Sequence, residues 1–132
     1  SPGPLFPAIL VDKKALLEIG LLDEKVPSWQ EWDTAISLSK ICEFKHVKKP
    51  LFTYNLNHGE TISLNIKRDL DGYGYLINKY KNEILRTCGK KSLLQHLNRQ
   101  ITVAKKNHNY FKLLKYFIKK QRLLLMNKSF VK

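Results

Sequence analysis

Apolar positions follow two different rhythms along the chain. Residues 5–11 form a short apolar run broken by Pro7 and closed by Asp12, which is placed to cap a first turn over residues 13–18. Leu16, Leu17 and Ile19 give that short helix its inward side, and Gly20 stands where a helix stop favours a left-handed residue. Residues 21–27 read as loop. Ser28 is a plausible N-cap with Glu31 three positions on, the spacing of a capping box. The helix it opens extends to about Lys40, with Trp32, Ile36 and Leu38 or Ile41 inward. Residues 44–47 and 51–56 read as short strands joined at Lys48-Lys49-Pro50, followed by a loop over 57–61.

From Ser63 the spacing changes. Ile66, Leu70, Tyr73, Ile77, Tyr80 and Ile84 recur at intervals of three and four, a helical stripe that Cys88-Gly89 ends. Ser92 is expected to cap a second helix with Leu94, Leu97, Ile101 and Ala104 inward. A turn at 107–109 precedes a third helix carrying Tyr110, Leu113, Leu114, Phe117 and Ile118. The expected fold class is therefore α+β: short strands in the front half, then an all-helical segment. The domains are 1–62 and 63–132, with the helices packed on the front half because three such helices alone bury little surface.

Composition sharpens this division. The 132 residues are 43% hydrophobic, enough for a small core and too apolar for a disordered polymer. No apolar stretch approaches the roughly 20 residues that span a bilayer. Up to Glu83, eleven Lys and Arg balance eleven Asp and Glu; thirteen more cations follow with no acid, so the net charge of +13 arises after that point. The bland reading of the basic half is a solvated helix face. The functional reading is attraction to acidic lipid or nucleic acid. Projected at ~100° per residue, Tyr110, Leu114, Phe117 and Ile118 fall near one side, with Lys112, Lys115, Lys119 and Arg122 largely elsewhere. That side either lies on a membrane or packs on the domain. No nucleic-acid recognition motif accompanies the charge. Cys42 and Cys88, far apart in a Lys-rich chain, suit a reducing compartment better than a disulfide.

The chemistry concentrates in residues 19–33. Two carboxylates, Glu31 and Asp33, lie between and beside Trp29 and Trp32. An indole can stack on a sugar face and exclude water while a neighbouring carboxylate accepts a hydroxyl proton. The alternative for Glu31 is a capping acid, and for Asp33 a first-turn acid favoured by the helix dipole. His46, His96 and His108 show no metal-ligand spacing. Asp69-Leu70-Asp71 falls inside the helical stripe and reads as its exposed side.

Ile19-Gly20-Leu21-Leu22-Asp23-Glu24, followed by Trp29-Gln30-Glu31-Trp32-Asp33, resembles a stretch of the inverting family-two glycosyltransferases. Lys49-Pro50-Leu51-Phe52-Thr53-Tyr54, His58-Gly59 and Thr61-Ile62-Ser63 are similar to that family's closing pattern. The resemblance spans roughly residues 5–63. It implies the acceptor-side, C-terminal portion of a GT-A glycosyltransferase acting in polysaccharide or glycolipid assembly. Glu31 would be the general base, with Asp33, Trp29, Asp23 and Glu24 at the acceptor and His58 near a metal. Glu31 is one methylene longer than the family's Asp, Gln30 replaces an acid, and Ser37 stands where an Arg is frequent. The donor is expected to be a nucleotide sugar and the acceptor a glycan or lipid-linked hydroxyl. Mg²⁺ or Mn²⁺ would be held mainly by a preceding nucleotide-binding half, so the chain alone is expected to be inactive. The implied location is cytoplasmic, at the inner face of the membrane. The rival is a non-catalytic basic helical module for anionic membrane or nucleic acid.

Overall fold

A computed structural model describes residues 8–51, 53 and 65–126. Among these it contains six helices and no strand: α1 (Lys13–Glu18), α2 (Gln30–Leu38), α3 (Ile66–Lys79), α4 (Lys81–Thr87), α5 (Gly89–Lys106) and α6 (Tyr110–Leu125). The α+β expectation is thereby corrected. Residues 44–47 are irregular backbone. Phe44 and Val47 are three apart, so a strand would send them to opposite faces and neither face would be apolar; both are exposed. Of the second expected strand, Leu51 and Thr53 have no regular structure, and the rest lies outside the described residues.

The chain divides into two compact units, one ending at Asp69 and the other beginning at Leu70, a boundary inside α3. In the first unit Asp12 caps α1, its carboxylate accepting from the amides of Lys14 (2.7 Å) and Ala15 (3.3 Å). The helix stops where Gly20 (φ 82°) turns left-handed and the Leu21 amide donates to the Leu16 carbonyl at 2.9 Å. Leu17 is exposed, not inward as the spacing suggested, and α1 buries none of its residues. Val26 and Leu38 are the buried apolar side chains here, alongside Ser28, Asp33 and Thr34. Trp32 and Ile36 are only half-buried and Ile41 is exposed.

In the second unit the helical stripe is realised with a break. Leu70, Tyr73, Ile77 and Tyr80 are buried, joined by Leu76. The expected single helix divides at Tyr80 into α3 and α4, and Gly89 (φ 78°) starts α5 directly after Cys88. The expected cap at Ser92 is therefore corrected: Ser92 lies within α5. Leu93, Leu97, Gln100 and Ala104 form the buried face of that helix. Asn109 caps α6 by accepting from the Lys112 amide at 3.1 Å. α5 and α6 form an antiparallel pair, and the Lys90 ammonium at the start of α5 donates to the carbonyls of Leu124 and Met126 that end α6.

α6 buries Tyr116 and Leu123. The Tyr116 ring joins Leu70 and Ala104 in the core, with Ile101, Val103 and Leu113 against them. Its hydroxyl donates to the Leu70 carbonyl at 3.4 Å. Such an approach requires glycine at position 74, where a Cβ would stand 2.8 Å from the Tyr116 Oη. On the opposite side of α6, Tyr110, Phe111, Leu114, Phe117, Ile118 and Leu125 are exposed.

Candidate functional site

The loop before α2 is shaped by polar side chains turned onto backbone. Asp23 Oδ1 accepts from the Lys25 amide at 3.0 Å, an Asx turn that directs residues 23–26 toward buried Val26. Gln30 Nε2 donates back to the Val26 carbonyl at 3.0 Å. Ser28 does not cap α2: its hydroxyl donates to the Arg68 carbonyl at 2.6 Å. The N-cap is Trp29 in the left-handed region (φ 70°, ψ 27°), with no side-chain cap. A capping box is therefore not formed, because its hydroxyl is committed elsewhere. A left-handed backbone at a bulky residue costs about 1 kcal/mol or more and persists only where surrounding contacts enforce it. Here the enforcing bond runs from Trp29 Nε1 to Asp69 Oδ1 (2.8 Å).

The result is a stiff entrance to α2. Trp29 and Trp32 lie with ring centroids 5.4 Å apart and planes tilted by 45°. Glu31 and Asp33 occupy the first turn, where the helix dipole favours negative charge. Asp33 is buried, with 4% of its surface exposed. Glu31 is half-buried and forms no hydrogen bond or ion pair with a described residue, so its oxygens remain available. Glu24 is exposed and Asp23 half-buried. His58, the metal candidate, lies outside the described residues, as do Tyr54 and residues 61–63 of the closing pattern.

Asp69 is engaged by Trp29, and Asp71 by the Lys112 ammonium. Among the described residues no three His, Cys, Asp or Glu side chains come together as a metal set. Cys42 is half-buried and Cys88 exposed, both as free thiols.

A polar cluster that the sequence did not reveal sits in the second unit. Tyr73 Oη and His96 Nδ1 are 2.7 Å apart, and the Arg99 guanidinium lies over the Tyr73 ring at 3.9 Å from its centroid. Burial, and then the nearby Arg99 charge, push the His96 pKa below the usual histidine value. A second missed feature is a cavity of ≈ 210 Å³ among α3, α4, α5 and α6, with Lys81, Lys119, Arg122 and Gln100 in its wall. Its one legible signal was Gln100, a polar residue on the stripe Leu93, Leu97, Ala104.

No helix among the described residues is long and apolar enough to cross a membrane. No protein-family model, curated protein or solved structure matches this chain.

Proposed function

We propose that the chain is the acceptor-side portion of an inverting glycosyltransferase that uses a nucleotide-sugar donor in polysaccharide or glycolipid assembly. What carries the reading is the environment of Glu31: first turn of a helix, half-buried, between two tryptophans in the chain, and uncommitted to any described partner. The motif order that precedes it supports the same reading, with the turn at Gly20, the Asx turn at Asp23 and the fixed Trp29 delivering that carboxylate.

In this reading a Glu31 oxygen accepts the proton of an acceptor hydroxyl. The freed oxygen pair attacks the anomeric carbon, the bond from that carbon to the nucleoside diphosphate breaks, and configuration inverts. Proton removal by a positioned carboxylate contributes about 10²–10⁴-fold. Asp33, buried on the same turn, orients the helix start, while Trp29 or Trp32 offers an apolar ring to a sugar face. Donor and metal are served by a nucleotide-binding half, so this portion alone has no turnover. In the intact enzyme, Glu31→Gln should lower kcat at least about 100-fold with unchanged folding. Full retained activity would refute the base assignment.

A membrane surface is the partner favoured by a separate observation. The outward side of α6 bears Phe111, Leu114, Phe117 and Ile118 in the open, within a unit in which Asp71 and Glu83 are the only acids against fifteen Lys and Arg. An apolar row set among cations suits the interface of an anionic leaflet, where each basic residue adds about 1 kcal/mol of attraction. We place the enzyme on the cytoplasmic face, near lipid-linked acceptors.

A further inference from the structure

The cavity of the second unit is built from four helices. Ile77 and Asn78 come from α3, Lys81 from α4, Leu93, Leu97 and Gln100 from α5, and Lys119, Arg122 and Leu123 from α6. Its wall therefore combines an apolar part with three cations and two amides, and contains no carboxylate. Gln100 is 2% exposed, lies on the buried face of α5 and lines the cavity. A primary amide on this wall presents both a donor and an acceptor to a polar group in the space beside it. The cations are crowded. Burial, followed by the charges of Lys115 and Lys81, pushes the Lys119 pKa below the usual lysine value. An arriving anion would remove that repulsion.

We propose that this cavity binds a phosphate ester with an apolar chain, its phosphate on Lys81, Lys119 and Arg122 and its first carbons on Leu93, Leu97 and Leu123. Three cations in one wall suit a dianion better than a single carboxylate, and the guanidinium fork matches phosphate oxygens in pairs. Size agrees: an apolar cavity of about 150 Å³ takes a benzene, and ≈ 210 Å³ accommodates a phosphate and a few carbons with the remaining chain leaving through the mouth. The proposal stands independently of Glu31 and of the transferase reading.

The test is titration calorimetry on the full chain with hexyl phosphate, hexanoate and inorganic phosphate, and a binding assay on vesicles with and without phosphatidic acid. Hexyl phosphate is expected to bind at least tenfold more tightly than either hexanoate or inorganic phosphate. The Lys119→Gln/Arg122→Gln double variant should weaken it tenfold or more, while Lys115→Gln, which removes a charge outside the cavity wall, should change it less than threefold. Removal of crowded charges favours folding, and circular dichroism should show the variant folded; stabilisation of the wild-type chain by hexyl phosphate gives a readout that needs no variant. Binding of the soluble ester together with phosphatidic acid vesicles, both lost in the Lys119→Gln/Arg122→Gln variant and both kept in Lys115→Gln, assigns a lipid as the source, and variant-sensitive binding of the soluble ester alone assigns a free phosphate ester. Equal affinity for hexyl phosphate and inorganic phosphate, equal affinity for the carboxylate, or binding unaffected by the double variant would overturn the site.

Discussion

Replacing Gly74 by alanine sets two well-separated effects against each other. In a helix interior the change ordinarily stabilises by about 1 kcal/mol, since glycine loses more backbone freedom on folding. At this position the added methyl would stand 2.8 Å from the Tyr116 Oη and 3.2 Å from Gln100 Nε2, both inside normal contact distance. Gln100 can shift its amide, but Tyr116 is a buried ring end held in the core, so the strain falls on the ring. Overpacking of this kind costs about 1–3 kcal/mol. Loss of the long hydroxyl bond to the Leu70 carbonyl adds about 0.5 kcal/mol, half of a typical hydrogen bond. The balance is a net loss of about 1–2 kcal/mol. Tyr116→Phe deletes the offending atom and leaves the ring carbon at an ordinary 3.8 Å. In that background Gly74→Ala should be neutral or stabilising by up to about 1 kcal/mol. Urea unfolding of the four proteins closes the cycle, with a coupling of about 2 kcal/mol expected. Equal effects of Gly74→Ala in both backgrounds, within the ~0.5 kcal/mol of ordinary additivity, would refute the argument.

The His96 imidazole has a folded pKa below its unfolded value, so the folded protein binds fewer protons than the unfolded chain near that range. Stability should be fully present above about pH 6.5 and fall as pH drops through the folded value, and His96→Gln should flatten that limb in denaturation profiles. For the α6 surface, vesicle binding should weaken when Lys112, Lys115 and Lys119 become Gln; equal binding of the wild-type chain to acidic and neutral vesicles would refute a lipid partner.

Helical stretches were legible wherever an apolar residue recurred at the spacing of a buried face. Leu70, Tyr73, Ile77 and Tyr80 follow one another as the periodicity demanded. So did Leu97 and Ala104 on α5. The strand reading failed because β-branched and aromatic residues make a strand only with a pairing partner, and Phe44 and Val47 share no face. Periodicity left open whether the apolar side of α6 turns inward. Tyr110, Leu114, Phe117 and Ile118 form an apolar row, yet Tyr116 and Leu123 are what α6 buries. Both rows are apolar, and the close approach of Tyr116 to Gly74 is a tertiary fit that periodicity does not carry. At the candidate site, the positions of Glu31 and Asp33 at a helix start were readable. The left-handed Trp29 was not, since its conformation depends on a bond to Asp69, 40 residues away.

The unequal placement of charge has a colloidal consequence. The greasy row on α6 is a natural point for copies of the chain to adhere, but it belongs to the segment that holds the entire surplus of cations. Mutual repulsion keeps such copies apart only over the Debye length, about 8 Å at physiological ionic strength and about 3 Å at 1 M salt. Concentrated salt therefore removes the barrier while leaving the adhesive row intact, and the protein should cluster in brine yet disperse in dilute buffer.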